Sequence, residues 1–304
     1  MLINKYYKLL FLYVFVFFCI LQTSTAQEAT PVVFEDYSHL AEDILRLLKQ
    51  DGRISSFTGM SELKNKTKDV EESKRVPVKI QKGKKRSLHA AKMIHKTKKG
   101  VLMVCKYIPA LQRNERVAIG ATAIVLSEDG VCATNCHVLQ QLIDKNYSLT
   151  PADSIVFVAT SEGEVFPIVS ILTYNKTADL ALFQIDCGNK PLTPVPLGKD
   201  IAVGETVHAL THLEGFPFFY SKGVVARNVT TNPQDPFTNK TEITADFAKG
   251  SSGGPILDDS GNLISMVSST QSIYYTDRPQ MDLQMVVKTT IPVSSLQRLI
   301  KVIH

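Results

Sequence analysis

From residue 101 onward the chain is a succession of short apolar runs. VLMVCKY, VAIGATAIVLS, SIVFVAT, VFPIVSIL, LALFQI, KGVVARNV, LISMVSS and LQMVVKTTI are rich in Val, Ile, Thr, Phe and Tyr. Turn clusters carrying EDG, SEG and DDSG break them about every 8–15 residues. β-branched side chains lose rotamer freedom in a helix and pack well on a pleated surface, so each run reads as a strand. Many short strands, none able to bury its apolar face alone, predict a closed or paired all-β architecture, and two small barrels fit their number. Only VSSLQRLIKVI at the end reads as a helix, with its cap at Ser294 or Ser295.

Upstream of residue 101 the texture differs. Residues 1–26 combine Lys5 and Lys8, an apolar run from Leu9 to Leu21 and a small-residue end, STA. That order predicts a signal peptide cleaved near Ala26 and an exported protein, secreted or periplasmic. An uncleaved anchor is the alternative, for which the run is shorter than the ~20 residues of a spanning helix. In the following segment, 27–100, SHLAEDILRLLKQDG predicts one amphipathic helix: Leu40, Ile44, Leu47 and Leu48 share a side and Gly52 stops it.

Residues 60–100 hold 14 Lys/Arg against 4 Asp/Glu, with few apolar side chains. They are expected to form a solvated basic linker or a processed pro-segment, with paired basic sites at Lys74-Arg75 and Lys84-Lys85-Arg86. Residues 101–304 carry 15 Lys/Arg against 19 Asp/Glu, so the chain's net charge of +5 describes one segment. A nucleic-acid binder should hold its positive charge on a folded face, and no nucleic-acid partner is expected. Cys105, Cys132, Cys136 and Cys187 can form two disulfides in an open pairing or remain buried thiols. No metal site is expected, because Cys132 and Cys136 lack a second pair at ligand spacing. Asn65, Asn146, Asn175, Asn228 and Asn239 begin glycosylation sequons, which matter only in a eukaryotic secretory route.

The stretch AKGSSGGPILDDSGNL places Ser251 and Ser252 before two glycines. A serine hydroxyl is a weak nucleophile until a base stands within hydrogen-bond reach and a third group orients that base. It also needs donors aimed at the oxyanion, and glycine lets backbone N–H groups converge. The candidate base is His137, where the strand in DGVCATNCHVL gives way to a helical pattern; the candidate acid is Asp179, opening the apolar strand in TADLALFQI. Taken singly, His137 reads more readily as a strand-end histidine than as a base, Asp179 as a turn or strand-start cap and KGSSGG as loop. His208 and His212 have no acidic neighbours at useful spacing, His89 and His95 lie in the basic segment, and His304 is the terminus.

Taken together, ATNCHVL, TADLALFQI and KGSSGGPILDDSGNLISMVSS, in the order His, Asp, Ser, resemble the three active-site blocks of trypsin-like (chymotrypsin-fold) serine peptidases. The resemblance covers residues 101–304 and is nearest the HtrA/Deg-like bacterial group, which also has counterparts of VGETVHAL and SKGVVARN. It implies two packed antiparallel β-barrels, about 101–192 and 193–304, followed by the C-terminal helix and preceded by the helical and basic extension. It implies His137 as general base and acid, Asp179 as its orienting carboxylate and Ser252 as nucleophile. The N–H groups of Gly250 and Ser252 would form the oxyanion hole, and Ser268 would hydrogen-bond the aspartate. GNLISMVSS would pair with extended substrate backbone; Ser251 fills a variable position and should be replaceable.

The expected function is that of a serine endopeptidase acting on polypeptides, with no cofactor. A catalytically silent protease-fold protein that binds peptides or surfaces is the alternative. Asp246 falls where trypsins keep an acidic pocket floor, whereas Thr270 falls where such pockets keep a glycine; the narrowed entrance favours small or medium side chains. No PDZ-like segment follows the last helix, so HtrA-type peptide sensing is not implied, and the oligomeric state stays open.

Overall fold

The computed structural model describes residues 32–111, 114–276, 278 and 280–303; the expected signal peptide, 1–26, and His304 lie outside them. Residues 32–35 carry no regular secondary structure, and Asp36–His304 forms one compact unit. Its strands close into two antiparallel barrels. The first uses β2 (Val101–Ile108), β3 (Arg116–Val125), β4 (Val131–Thr134), β5 (Ile155–Ala159), β6 (Val165–Asn175) and β7 (Leu180–Ile185), in the order β2-β3-β4-β7-β6-β5. The second uses β8 (Thr206–Leu213), β9 (Phe216–Val229), β10 (Lys240–Ile243), β11 (Pro255–Leu257), β12 (Leu263–Thr276) and β13 (Met281–Pro292), in the order β10-β13-β12-β11-β8-β9. These boundaries fall within the two expected halves.

The pattern of β2 shows how the sequence encodes its packing. Alternate residues of a strand face opposite sides, so a half-exposed strand should alternate in polarity, yet VLMVC does not. Leu102 and Val104 join the barrel interior with Phe183, whereas Met103 and Cys105 belong to a second cluster with Ile44, Leu48 and Phe157. Ile44 and Leu48 come from α1 (Leu40–Lys49), whose apolar side closes over the outer face of the sheet. An unbroken apolar run is what a strand covered on both faces requires. Gly52 ends this region in a left-handed conformation, φ 69°.

The expected linker is a correction. Residues 60–100 fold onto the barrels through α2 (Met60–Thr67), β1 (Val76–Val78) and α3 (Ala90–Thr97). Met60 and Leu63 enter the core of the first barrel, and Val76 and Val78 enter the cluster between the barrels. Met93 of α3 is also buried. Each element buries only one to three side chains, so average composition hides the pattern. The positive charge of residues 60–100 is therefore carried by ordered chain and not by a solvated linker.

The terminal helix is shorter than expected. α4 spans Val293–Arg298 with Pro292 in the cap position, not Ser294 or Ser295; Ser295 is buried, with its hydroxyl donating to Pro236 O at 3.4 Å. The chain then leaves as β14 (Ile300–Val302), which runs parallel to β1 in a two-stranded sheet. All four cysteines among the described residues are buried free thiols. No described helix is long and apolar enough to cross a membrane.

Leu63 tests the docking of the basic segment, because it is fully buried. Leu63→Ala should lower the stability measured by chemical denaturation by about 2–5 kcal/mol; a solvated linker position would change it by less than ~0.5 kcal/mol.

Candidate active site

β4 runs out at Thr134, and the chain turns through Asn135 and Cys136 into a 3-10 turn, His137–Leu139. That turn is fixed to the loop before β7. Asp179 O accepts from Cys136 N at 3.2 Å and from Asn135 Nδ2 at 3.0 Å, and its carboxylate Oδ1 accepts from the His137 amide at 2.9 Å. Asp179 itself sits in the left-handed region, φ 64°, a conformation that costs a non-glycine residue roughly 1–3 kcal/mol and persists only where neighbours over-determine it. Here they do, and the remaining oxygen, Oδ2, is left facing His137 Nδ1 at 2.8 Å. A carboxylate only accepts, so Nδ1 carries the hydrogen and the Nε2 lone pair points away from Asp179. Nε2 lies 3.0 Å from Ser252 Oγ. His137 remains about half exposed, at 46%, so the imidazole is open to a bound molecule.

Two glycines with positive φ frame Ser252, Gly250 at 93° and Gly253 at 81°. Space as well as conformation demands them. A Cβ on Gly253 would stand 2.2 Å from Thr122 O, and one on Gly250 would stand 2.6 Å from His212 O. The loop is thereby pressed onto the first barrel, where Thr122 N donates to Ser252 O at 2.9 Å and Thr122 Oγ1 to Gly250 O at 3.2 Å. Among the described residues, neither the Gly250 nor the Ser252 amide donates to another protein group, so both remain available to an oxyanion. Ser268 Oγ stands 3.4 Å from Asp179 Oδ2. The structure thus brings together the five residues His137, Asp179, Ser252, Gly250 and Ser268.

The specificity residues do not join them as expected. Asp246 is a correction: its side chain is 80% exposed and faces Lys288 Nζ at 3.5 Å. A carboxylate that recognises a basic side chain must be sheltered and lack its own counter-ion, and Asp246 is neither. Thr270 is exposed on β12, paired in register with Lys288. Ser251, expected to be replaceable, is wholly buried, with its hydroxyl 3.0 Å from Thr211 Oγ1.

Sequence spacing also hid two buried histidines. His208 Nε2 meets Asp259 Oδ1 at 2.8 Å and its Nδ1 meets Tyr220 OH at 2.9 Å, partners that only barrel closure brings near. His212 packs edge-on to Phe218, 4.4 Å between ring centroids, and its Nδ1 accepts from the Phe218 amide at 3.2 Å. Its Nε2 is buried without a partner among the described residues. The signal available for both was the apolar setting of TVHALTHL in β8, where a histidine inside a buried strand needs a partner from another element.

Residues 121–266 match the family described as a trypsin-like peptidase domain. The chain is 28% identical to Protease Do-like 1, chloroplastic, of Arabidopsis thaliana, over 50% of this chain and 33% of that protein. It is 27% identical to a probable periplasmic serine endoprotease, DegP-like, of Halomonas elongata, over 51% of this chain and 30% of that one. The matched regions thus span about a third of the length of these relatives. A crystal structure of Deg5 superimposes with a TM-score of 0.51 at 22% identity, covering 68% of this chain and 90% of that chain, and shows the common fold.

Burial, and secondarily the charge of Lys98, pushes the His212 imidazole down to about 3 from its ordinary 6.5. The unfolded chain takes up this proton as pH falls through 6.5, whereas the folded chain refuses it until near 3. Stability is therefore fully present above 6.5 and declines between those values, by roughly a few kcal/mol. Denaturation midpoints of His212→Gln, measured across that window, should show a shallower decline than those of the unaltered protein.

Proposed function

We propose that the chain is an exported serine endopeptidase of the trypsin-like, HtrA type, with His137, Asp179 and Ser252 as its catalytic triad; the match of residues 121–266 to the trypsin-like peptidase domain and the likeness to the DegP-like relative support this reading. The observation that carries the proposal is the continuous line of hydrogen-bond contacts from Asp179 Oδ2 through the His137 ring to Ser252 Oγ, 2.8 Å and 3.0 Å. The basic leader pattern of residues 1–26 and the periplasmic naming of the Halomonas relative support export.

In the proposed reaction Ser252 Oγ attacks the scissile carbonyl carbon while its proton passes to His137 Nε2. Asp179 holds the imidazole in the tautomer that can accept this proton and stabilises the imidazolium that results. The carbonyl oxygen, now negative, accepts from the Gly250 and Ser252 amides, whose strength comes from being fixed before charge develops. Collapse of the tetrahedral species breaks the C–N bond, and His137 returns its proton to the leaving amine. A water molecule, deprotonated by the same Nε2, then cleaves the acyl-serine ester and restores the enzyme.

For the side chain before the scissile bond, the exposed and countered Asp246 removes the case for a basic residue. Lys288 nearby disfavours a cation further, and small or medium uncharged side chains fit best.

A fluorophosphonate probe should label Ser252, with the adduct mapped by mass spectrometry, and His137→Ala should abolish labelling. A folded protein that leaves Ser252 unmodified would refute the proposal. Asp179→Asn should lower kcat by roughly 10⁴-fold on a peptide substrate, because the wrong imidazole tautomer then faces the serine.

A further inference from the structure

A cleft of about 270 Å³ opens beside the reacting groups, with Ser252 and His137 on its rim. Apart from Ser252, its lining comes from the first barrel, from the segment that follows β4 and from α2, and none of it from β12. Val104 of β2, Val156 of β5 and Val138, next to His137, contribute apolar side chains. Ala118 and Gly120 of β3 line it as small residues. Met60 also lines it, supplied by α2 and therefore by the basic segment ahead of the barrels. Lys106 borders the cleft too, but its ammonium is engaged by the Asp153 carboxylate and by Gln141 Oε1, so it offers mainly its methylene stem. The lining is thus mainly apolar.

Two observations place this cleft on the leaving-group side. The Ser252 loop is held between β3 and β12: Thr122 N donates to Ser252 O from one side, and Val267 N to Gly254 O from the other. If the acyl half of a substrate runs along β12, the other half must pass β3. Independently, His137 has to protonate the leaving amine, and His137 with Val138 forms part of the cleft's lining. Resting on the peptidase reading above, we infer that this cleft receives a large apolar side chain from the residue just after the scissile bond. Met60 is a specificity-determining part of its lining. A segment outside both barrels thereby takes part in choosing the substrate.

The test is a peptide series, cleaved by the full chain, that varies only the residue after the scissile bond. Leu and Phe should exceed Ala and Gly in kcat/KM by roughly ten- to a hundred-fold, the discrimination an apolar pocket provides. Gly120→Leu should collapse that ratio, since a Cβ at Gly120 meets nothing within 4 Å and the substitution adds bulk to the cleft's lining. Met60→Ala, which deepens the cleft, should raise Phe relative to Leu. A flat profile while the fluorophosphonate still labels Ser252 overturns the subsite and spares the peptidase reading. Folded protein that neither cleaves nor labels overturns both.

Discussion

The amide of Thr122 donates to the carbonyl of Ser252 across the boundary between the barrels, and the geometry of the reacting groups depends on that contact holding. His137 is anchored in the first barrel and Ser252 in a loop of the second, so a shift of either barrel would separate Nε2 from Oγ. Thr122 is fully buried and uses every polar group it has at this seam: its carbonyl accepts from Thr134 Oγ1 at 2.8 Å, and its hydroxyl bridges Gly250 O and the His212 amide. Buried, fully satisfied networks of this kind are rigid because each member would lose its partner without gaining water. The absent Cβ of Gly253 is what lets the loop come close enough to join it.

Asp179 shows the same economy on the far side of His137. Its left-handed backbone is unfavourable alone, yet it lets one residue brace the histidine turn with its carbonyl and hold the His137 amide and ring with its two carboxylate oxygens. The strain is local and is offset by hydrogen bonds that exist only in the folded chain. His137 consequently stands in one orientation before any substrate arrives, which is the condition for a hydrogen-bonded base to act without reorganisation.

Strand chemistry and the three residue blocks were legible in the sequence because each is local: alternation, turn glycines and a short motif need no knowledge of distant contacts. The barrels and the meeting of His137, Asp179 and Ser252 follow from them. What escaped is everything decided by long-range burial. Asp246 reads as a pocket floor until Lys288, 42 positions later, is seen beside it on a neighbouring strand. Ser251 reads as a loop residue until Thr211 encloses it. The segment 60–100 reads as solvated because Met60, Leu63, Val76, Val78 and Met93 are too scattered to form a periodic pattern, though each finds a place in a core.

The parallel pairing of β1 with β14 joins Val76 to Ile300 and Val78 to Val302, and Arg75 adds a hydrogen bond from its guanidinium to Ile300 O at 2.9 Å. Few contacts in a protein of this size span so much sequence, and such contacts form late because the intervening chain must first be ordered. During synthesis β1 leaves the ribosome before either barrel, and its partner strand β14 only after both. Until then Val76 and Val78 have no strand to pair with, and the groove between the barrels lacks its closing sheet. The elements flanking the barrels are therefore joined only after both barrels have emerged, and vectorial synthesis gives the first barrel time to form before that pairing can be made.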